Sequence, residues 1–334
     1  MNKPRGIHYV SDQNFTWTRQ FKRGKAQYIN RLSRPVPPKD QERIKKLVIP
    51  PAWTNVKISS DVDSHIQAVG IDGKGKKQYI YHPDWVAYNQ RSKFESLQRF
   101  SEVLPALRET VAGHMRQHEL TKERVLATMI WLLEHTFIRV GNKEYAKENQ
   151  SYGLTTLRNK HVDVEGNSIK FSFKGKSNVY HELNIKHPRV AATIKKCIEL
   201  PGYELFQYLD DDGNRRHIDS ADVNQYLKDI TGEDLSAKDF RTWGGTVLAG
   251  DTLYQLGEPT EEVPIEKVLI EAVKEVSRHL GNTVSVCRQY YIHPSIIKSY
   301  EKKLLVPHFD KIYKSSKSTP AGLTIEEYAA VSLL

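Results

Sequence analysis

The chain has 334 residues, 50 Lys+Arg against 40 Asp+Glu, and a formal net charge of +10. A composition of 39% hydrophobic and 27% charged residues is that of a globular protein long enough for two domains, and no run approaches the roughly 18 apolar residues of a membrane span. The N-terminal stretch MNKPRGIHYVSDQNF has no apolar segment and does not read as a signal peptide, and Cys197 and Cys287 stand too far apart for a disulfide framework or a zinc spacing, so the expected compartment is the cytoplasm.

Residues 1–90 hold 16 Lys+Arg against 7 Asp+Glu, whereas residues 91–334 hold 34 against 33, so nearly all of the surplus lies in the first quarter of the chain. Lys22, Arg23, Lys25, Arg31 and Arg34 form one basic group, and Lys74, Lys76 and Lys77 another. Crowding of this kind is an electrostatic footprint for a polyanion, most often nucleic acid. After the turn-forming PVPP, the pattern predicts a helix over 38–47 and short strands over 56–59, 66–71 and 78–82. The segment GKGKKQYIYHPDW, residues 73–85, reads as a strand presenting polar and stacking groups on one face. Lys74, Lys76 and Lys77 are suited to phosphates there, and Gln78, Tyr79 and Tyr81 to bases or sugars.

From about Arg91 the apolar period becomes helical, with Val125, Met129, Leu132, Leu133 and Phe137 on one stripe and Gly141 as the expected stop. Val162 and Val164, then Ile169, Phe171 and Phe173, alternate around Glu165-Gly166-Asn167 and predict a hairpin. A third strand over 179–185 follows the turn at 174–178. Helices are predicted from His187 onward, the last one opened by a capping box of Thr324 and Glu327. The expected fold class is α+β: a small β-rich domain, 1–90, and a larger, mainly helical domain, 91–334, containing a short antiparallel sheet.

Three motifs are set aside. Gly175-Lys176-Ser177 imitates the end of a phosphate-binding loop, but Lys170 stands where its first glycine belongs, so no nucleotide cofactor is expected. His114 and His118 are four apart on a predicted helix, yet lack a third ligand and read as a solvated pair. Asp210-Asp211-Asp212-Gly213 lacks the distal carboxylate of a calcium loop, Ala221 standing in its place, and reads as a turn. No metal site is expected.

The polar residues that remain are Arg139 in FIRVGNKEY, Lys174 and Lys176 on the hairpin turn, Lys238 and Arg241 in KDFRTWGGT, and Asn282 with Tyr290-Tyr291 in LGNTVSVCRQYYIHP. Singly, each has an ordinary structural explanation. In this order, with GKGKKQYIY upstream, they closely resemble the type IB DNA topoisomerases, in the compact form shared by poxviruses and some bacteria. The resemblance runs from about residue 65 to 295. It implies relaxation of supercoiled duplex DNA by transient single-strand cleavage through a 3′-phosphotyrosine and religation, without ATP or metal, by a monomer acting at the nucleoid. The basic module would then be one half of a DNA clamp and 91–334 the catalytic domain.

Carried over residue by residue, the nucleophile is Tyr291, nine positions after Asn282. Arg139 and Arg241 match the phosphate-binding arginines, and Lys176 the general acid, with Lys174 as competitor if the register slips by two. Asn282 stands where poxvirus members carry His. Tyr145 and Lys238 are implied DNA contacts, beside Lys74, Lys76, Lys77, Gln78, Tyr79 and Tyr81. Two other readings stay open at this point: a tyrosine recombinase, disfavoured because those usually have His-x-x-Arg where this chain has Lys238-Asp239-Phe240-Arg241, and a DNA-binding protein without catalysis.

Overall fold

The computed structural model describes residues 6–315 and 319–334. Residues 1–5 of the N-terminal stretch discussed above lie outside them. Two units emerge, Met1–Lys93 and Phe94–Leu334. The first is a five-stranded antiparallel sheet in the order β2-β1-β3-β4-β5, from β1 (Trp17–Lys22), β2 (Lys25–Ile29), β3 (Thr54–Ile58), β4 (Ile66–Ile71) and β5 (Lys77–Tyr81). Helix α1 (Pro38–Lys46) places Ile44 in a small core with Trp17, Val36, Val56, Ile58 and Ala68. The β1–β2 hairpin was not foreseen. Only Trp17 of β1 is buried and β2 buries nothing fully, so the hairpin carries no apolar alternation, and its basic residues read as a charge cluster alone. Arg23 and Gly24 form its tip, both at positive φ.

Helix α2 (Pro83–His114) begins eight residues before the expected change of period. Its stripe of buried residues starts only at Phe94 and continues through Leu97, Phe100, Leu104, Leu107 and Val111, so the earlier turns send no periodic signal. Helix α3 (Lys122–Thr136) is capped by Thr121 and stops at Phe137, whose φ of 55° is left-handed, not at Gly141 as expected. Arg139 therefore sits in an irregular segment beyond the helix. After α4 (Lys143–Asn149) comes the expected sheet of β6 (Val162–Glu165), β7 (Ser168–Lys174) and β8 (Tyr180–Lys186), in that order and antiparallel. Helix α5 (Pro188–Glu199) is followed by a hairpin of β9 (Gln207–Leu209) and β10 (Arg215–His217), turned by Asp210–Gly213 as read. The rest is helical: α6 (Ser220–Thr231), α7 (Ala237–Leu256), α8 (Ile265–Leu280), α9 (Val284–Tyr290), α10 (Pro294–Glu301), α11 (Leu305–Lys314) and α12 (Ile325–Val331). The fold is α+β. Among the described residues no helix is long and apolar enough to cross a membrane.

Helix α7 is the axis of the second unit. Phe240 and Trp243 on its first half belong to one apolar cluster with α2, α3 and the β6–β8 sheet, while Ala249 and Leu253 belong to another with α8, α10 and α11. The histidine pair needs correction. His114 is the last residue of α2 and His118 lies beyond it, so they share no helix face, and His114 Nδ1 is 2.7 Å from the Tyr226 hydroxyl, not merely solvated.

The capping box on α12 forms as expected, and Glu327 does more than cap. Its carboxylate, 8% exposed, accepts from Arg108 at 2.6 and 2.9 Å and from Trp243 Nε1 at 3.1 Å. Burial alone would raise its pKa, but the bonds from Arg108, Thr324 and Trp243 outweigh this and hold it below the usual glutamate range. Glu327→Ala would leave the half-buried Arg108 guanidinium to Glu134 and the Gly322 carbonyl and the Trp243 N–H unpaired, and is expected to cost about 1–3 kcal/mol in a urea melt. Because the folded pKa is depressed, this stabilisation is complete above the unfolded value near ~4.3 and is lost as pH falls through the folded one. The wild-type chain should therefore lose more stability than Glu327→Ala between neutral and acid pH.

Candidate active site

The site is built on α7. Glycine inside a helix costs about 0.5–1 kcal/mol relative to Ala, so the consecutive pair Gly244-Gly245 needs a reason, and packing supplies it. A Cβ on Gly244 would lie 2.0 Å from the Phe137 ring, and one on Gly245 would lie 2.7 Å from the Tyr291 carbonyl oxygen. Thr246, next in the helix, donates to the same Tyr291 carbonyl at 3.3 Å and accepts from the His293 N–H at 3.0 Å. One turn of α7 thus seats both the segment leading to Arg139 and the segment carrying Tyr291.

One turn earlier, Arg241 is 4% exposed. Its guanidinium donates to the Phe137 carbonyl and, at 2.7 Å, to the Leu280 carbonyl. Those are the C-terminal ends of α3 and α8, where unpaired carbonyls and the helix dipole both favour a cation. The guanidinium carbon is also 5.1 Å from the Tyr291 ring centroid. Its Nε is buried without a partner.

Arg139 reaches the same place from the irregular segment after α3, which Leu154 N–H holds by a 2.8 Å bond to the Arg139 carbonyl. Its guanidinium donates to Asn282 Oδ1. Burial first, and then the charge of Arg241, lower its pKa to about 10, although Tyr291, Cys287 and Tyr145 pull the other way. Burial also lowers Arg241. Both remain cations at neutral pH. Asn282 follows Gly281, the left-handed end of α8, and its Nδ2 is buried with no partner. Two buried donors are thus unpaired, Arg241 Nε next to the Tyr291 ring and Asn282 Nδ2 on the residue that holds Arg139.

Tyr291 is the residue that closes α9, its N–H bonded to the Cys287 carbonyl at 3.0 Å. It lines a cleft of about 550 Å³ together with Arg139, Arg241, Lys176, Lys238 and Tyr145. Neither Tyr290 nor Lys174 lines it. Tyr290 is 38% exposed, whereas Tyr291 packs against the apolar cluster of α8 and α10. The adjacent tyrosines therefore diverge. Lys174 ends β7 opposite Tyr180, and its carbonyl accepts from Tyr152 N–H at 2.7 Å. Lys176 opens the exposed turn Lys176–Asn178, in which Ser177 and Asn178 both have positive φ. Lys176 alone of the two lysines lines the cleft.

In the first unit, Lys77, Tyr79 and Tyr81 are exposed on one face of β5, with the tyrosine rings 6.0 Å apart and stacked. The Lys77 ammonium pairs with Asp12 and lies 5.4 Å from the Tyr79 ring. Gln78 departs from the expectation. Alternation turns it to the opposite face, where its amide donates to Asp72 Oδ2 at 2.8 Å. Asp72 also accepts from the backbone N–H groups of Lys74 and Lys76, each at 2.9 Å, and so shapes the turn on which those lysines stand. Sequence reasoning missed Gly244, Gly245 and Thr246 as the seat of the Tyr291 segment. The signal was available in the glycine pair inside a helix.

A family profile described as the eukaryotic DNA topoisomerase I catalytic core matches residues 82–313, and one described as the bacterial DNA topoisomerase IB N-terminal domain matches residues 26–72. The chain is 35% identical over 272 residues to a DNA topoisomerase 1B of Acanthamoeba polyphaga mimivirus, covering 79% of this chain and 80% of that protein. It is 24% identical over 237 residues to the DNA topoisomerase 1B of Vaccinia virus (strain Copenhagen), covering 70% and 72%. Among solved structures, the XerH site-specific recombinase bound to palindromic difH substrate aligns with a TM-score of 0.39 and 16% identity, over 64% of this chain and 51% of that one. The profile over the catalytic core and the mimivirus relative together define a DNA topoisomerase. Specifically, the chain belongs to the type IB DNA topoisomerase family.

Proposed function

We propose that this type IB enzyme relaxes supercoiled duplex DNA through a covalent tyrosine ester, with Tyr291 as nucleophile and Arg139, Arg241, Lys176 and Asn282 around the scissile phosphate. The observation that carries the reading is the convergence of Tyr291 with both arginines in the one cleft that Lys176 also lines. The Tyr291 phenolic oxygen attacks phosphorus, its proton passes to water, and the P–O5′ bond breaks. The leaving 5′ oxygen takes a proton from the Lys176 ammonium, which solvent replaces, and the reverse sequence reseals the strand. Because the phosphodiester is exchanged for a phosphotyrosine, no nucleotide need supply energy. Charge that builds on the non-bridging oxygens meets two forked guanidinium groups and the Asn282 amide, donors preorganised by the helix ends and backbone contacts described above. Two such cations also favour the phenolate that attack requires.

Residues 1–90 act in this reading as the DNA-gripping module and 91–334 as the catalytic domain, in a monomer working on the chromosome in the cytoplasm. Relaxation of supercoiled plasmid in EDTA without ATP tests the whole scheme, and loss of activity under those conditions would overturn it. Binding should weaken steeply with salt as counterions are released. Neutralising Lys74, Lys76 and Lys77 together is expected to lower the magnitude of the salt slope by about two to three. The triple variant is weighed against Tyr79→Ala/Tyr81→Ala, which should reduce affinity or move the cleavage sites while leaving the slope unchanged. Equal slopes for wild type and the lysine variant would remove that turn from the interface.

A further inference from the structure

His181 is absent from the scheme above, yet it lies between two of its parts. It is the second residue of β8, opposite Phe173 on β7, and the two rings stack at 5.1 Å and 16°. A Cβ on Gly175 would lie 2.6 Å from His181 Cδ2 and 2.7 Å from Nε2, and a Cβ on Gly281 would lie 2.7 Å from Cε1. One imidazole therefore fills the gap between two glycines, meeting one with its Cδ2–Nε2 edge and the other with Cε1. Gly175 immediately precedes Lys176, and Gly281 immediately precedes Asn282, which accepts from Arg139.

Gly281 has a φ of +57°, so its backbone already calls for glycine. Gly175 does not: its φ of −93° and ψ of −167° are extended backbone open to any residue. What excludes a side chain there is the His181 ring. We propose that His181 is a positioning residue, a planar spacer that sets the Lys176 turn against the Gly281–Asn282 segment and so aims the lysine at the leaving oxygen. The proposal rests on the reading of Lys176 as general acid. Burial, then Arg139 and Arg241, lower the imidazole pKa, so the ring is neutral at pH 7 and places no third cation beside the arginines.

The test compares single-turnover cleavage of ordinary duplex DNA with cleavage of the same duplex carrying sulfur in place of the bridging 5′ oxygen at the scissile phosphate. A thiolate leaves without a proton, so a defect confined to proton delivery disappears on the sulfur substrate, whereas a general loss of structure does not. His181→Ala is expected to slow cleavage of the oxygen substrate by about tenfold to hundredfold, the scale of a misplacement near 1 Å, with DNA affinity unchanged. On the sulfur substrate it should approach the wild-type rate. An equal slowing on both substrates would overturn the proposal.

Lys176→Ala separates the two ideas. If sulfur fails to relieve it, the general-acid reading falls and the proposal with it. If sulfur relieves Lys176→Ala but not His181→Ala, the proposal alone falls. Should His181→Ala melt at a much lower temperature, Gly175→Ala carries the same test, because its backbone tolerates alanine while the new Cβ displaces the ring. It should show the same sulfur-relieved defect, and normal cleavage by that variant would overturn the proposal.

Discussion

Tyr291→Phe is expected to abolish the covalent DNA adduct on denaturing gels and to cut plasmid relaxation by at least about 10⁴-fold, the scale seen when a nucleophile is removed. Duplex binding and thermal stability should stay close to wild type. The substitution keeps the ring that Arg241 covers and the backbone that Gly245 and Thr246 receive, and removes only the attacking oxygen. Tyr290→Phe is the control within the same dipeptide. Its side chain is 38% exposed and outside the cleft, so adduct formation and most relaxation activity should survive. Adduct lost in Tyr290→Phe and kept in Tyr291→Phe would place the nucleophile one residue earlier and detach Asn282 from its role.

The two arginines should fail in different ways. Each removal is expected to lower the cleavage rate by about 10²–10³-fold or more, as for loss of an oxyanion donor. Arg241→Ala should also destabilise the fold, because the Phe137 and Leu280 carbonyls lose a buried charged donor, at about 1–3 kcal/mol for each group left unsatisfied. Arg139→Ala loses its bond to Asn282 but also relieves the repulsion between its half-buried charge and the buried Arg241, the same repulsion that helps to lower the Arg139 pKa. Its stability should therefore stay within about 1 kcal/mol of wild type. Urea melts set beside single-turnover rates make the comparison, and an Arg241→Ala protein as stable as wild type would refute the structural half of Arg241's role.

Much of this was legible in the sequence because its signals are local. Alternation around Glu165-Gly166-Asn167 predicted β6 and β7, and Thr324 with Glu327 announced the start of α12. The five proposed catalytic residues were found by resemblance and spacing, and the structure brings all of them to one region of the second unit. What stayed hidden depends on long-range packing. Nothing local says that Phe137 turns left-handed, because that turn exists to lay its ring on Gly244 and its carbonyl on Arg241, more than a hundred residues away. Gln78 was misplaced for a simpler reason: strand alternation sets it on the face of Ile80, which packs against the core, opposite Lys77, Tyr79 and Tyr81, and its polarity was read in place of its register. The chain's other silent partner, Asp72, gathers three donors that no sequence pattern connects.

The anchoring of Arg241 has a consequence for safety. A nucleophile that severs DNA would be a hazard in a half-folded chain, and the cationic neighbour of the proposed one is held in place by carbonyls 104 residues upstream and 39 residues downstream. If the last turn of α8 frays, the Leu280 carbonyl leaves, the guanidinium loses half its seat, and the ring of Tyr291 loses the charge above it. The same opening carries away Asn282, two residues on. On the proposed assignment, partial unfolding would therefore disarm the site before it could act, an interlock that ties strand breakage to the simultaneous closure of the ends of two distant helices.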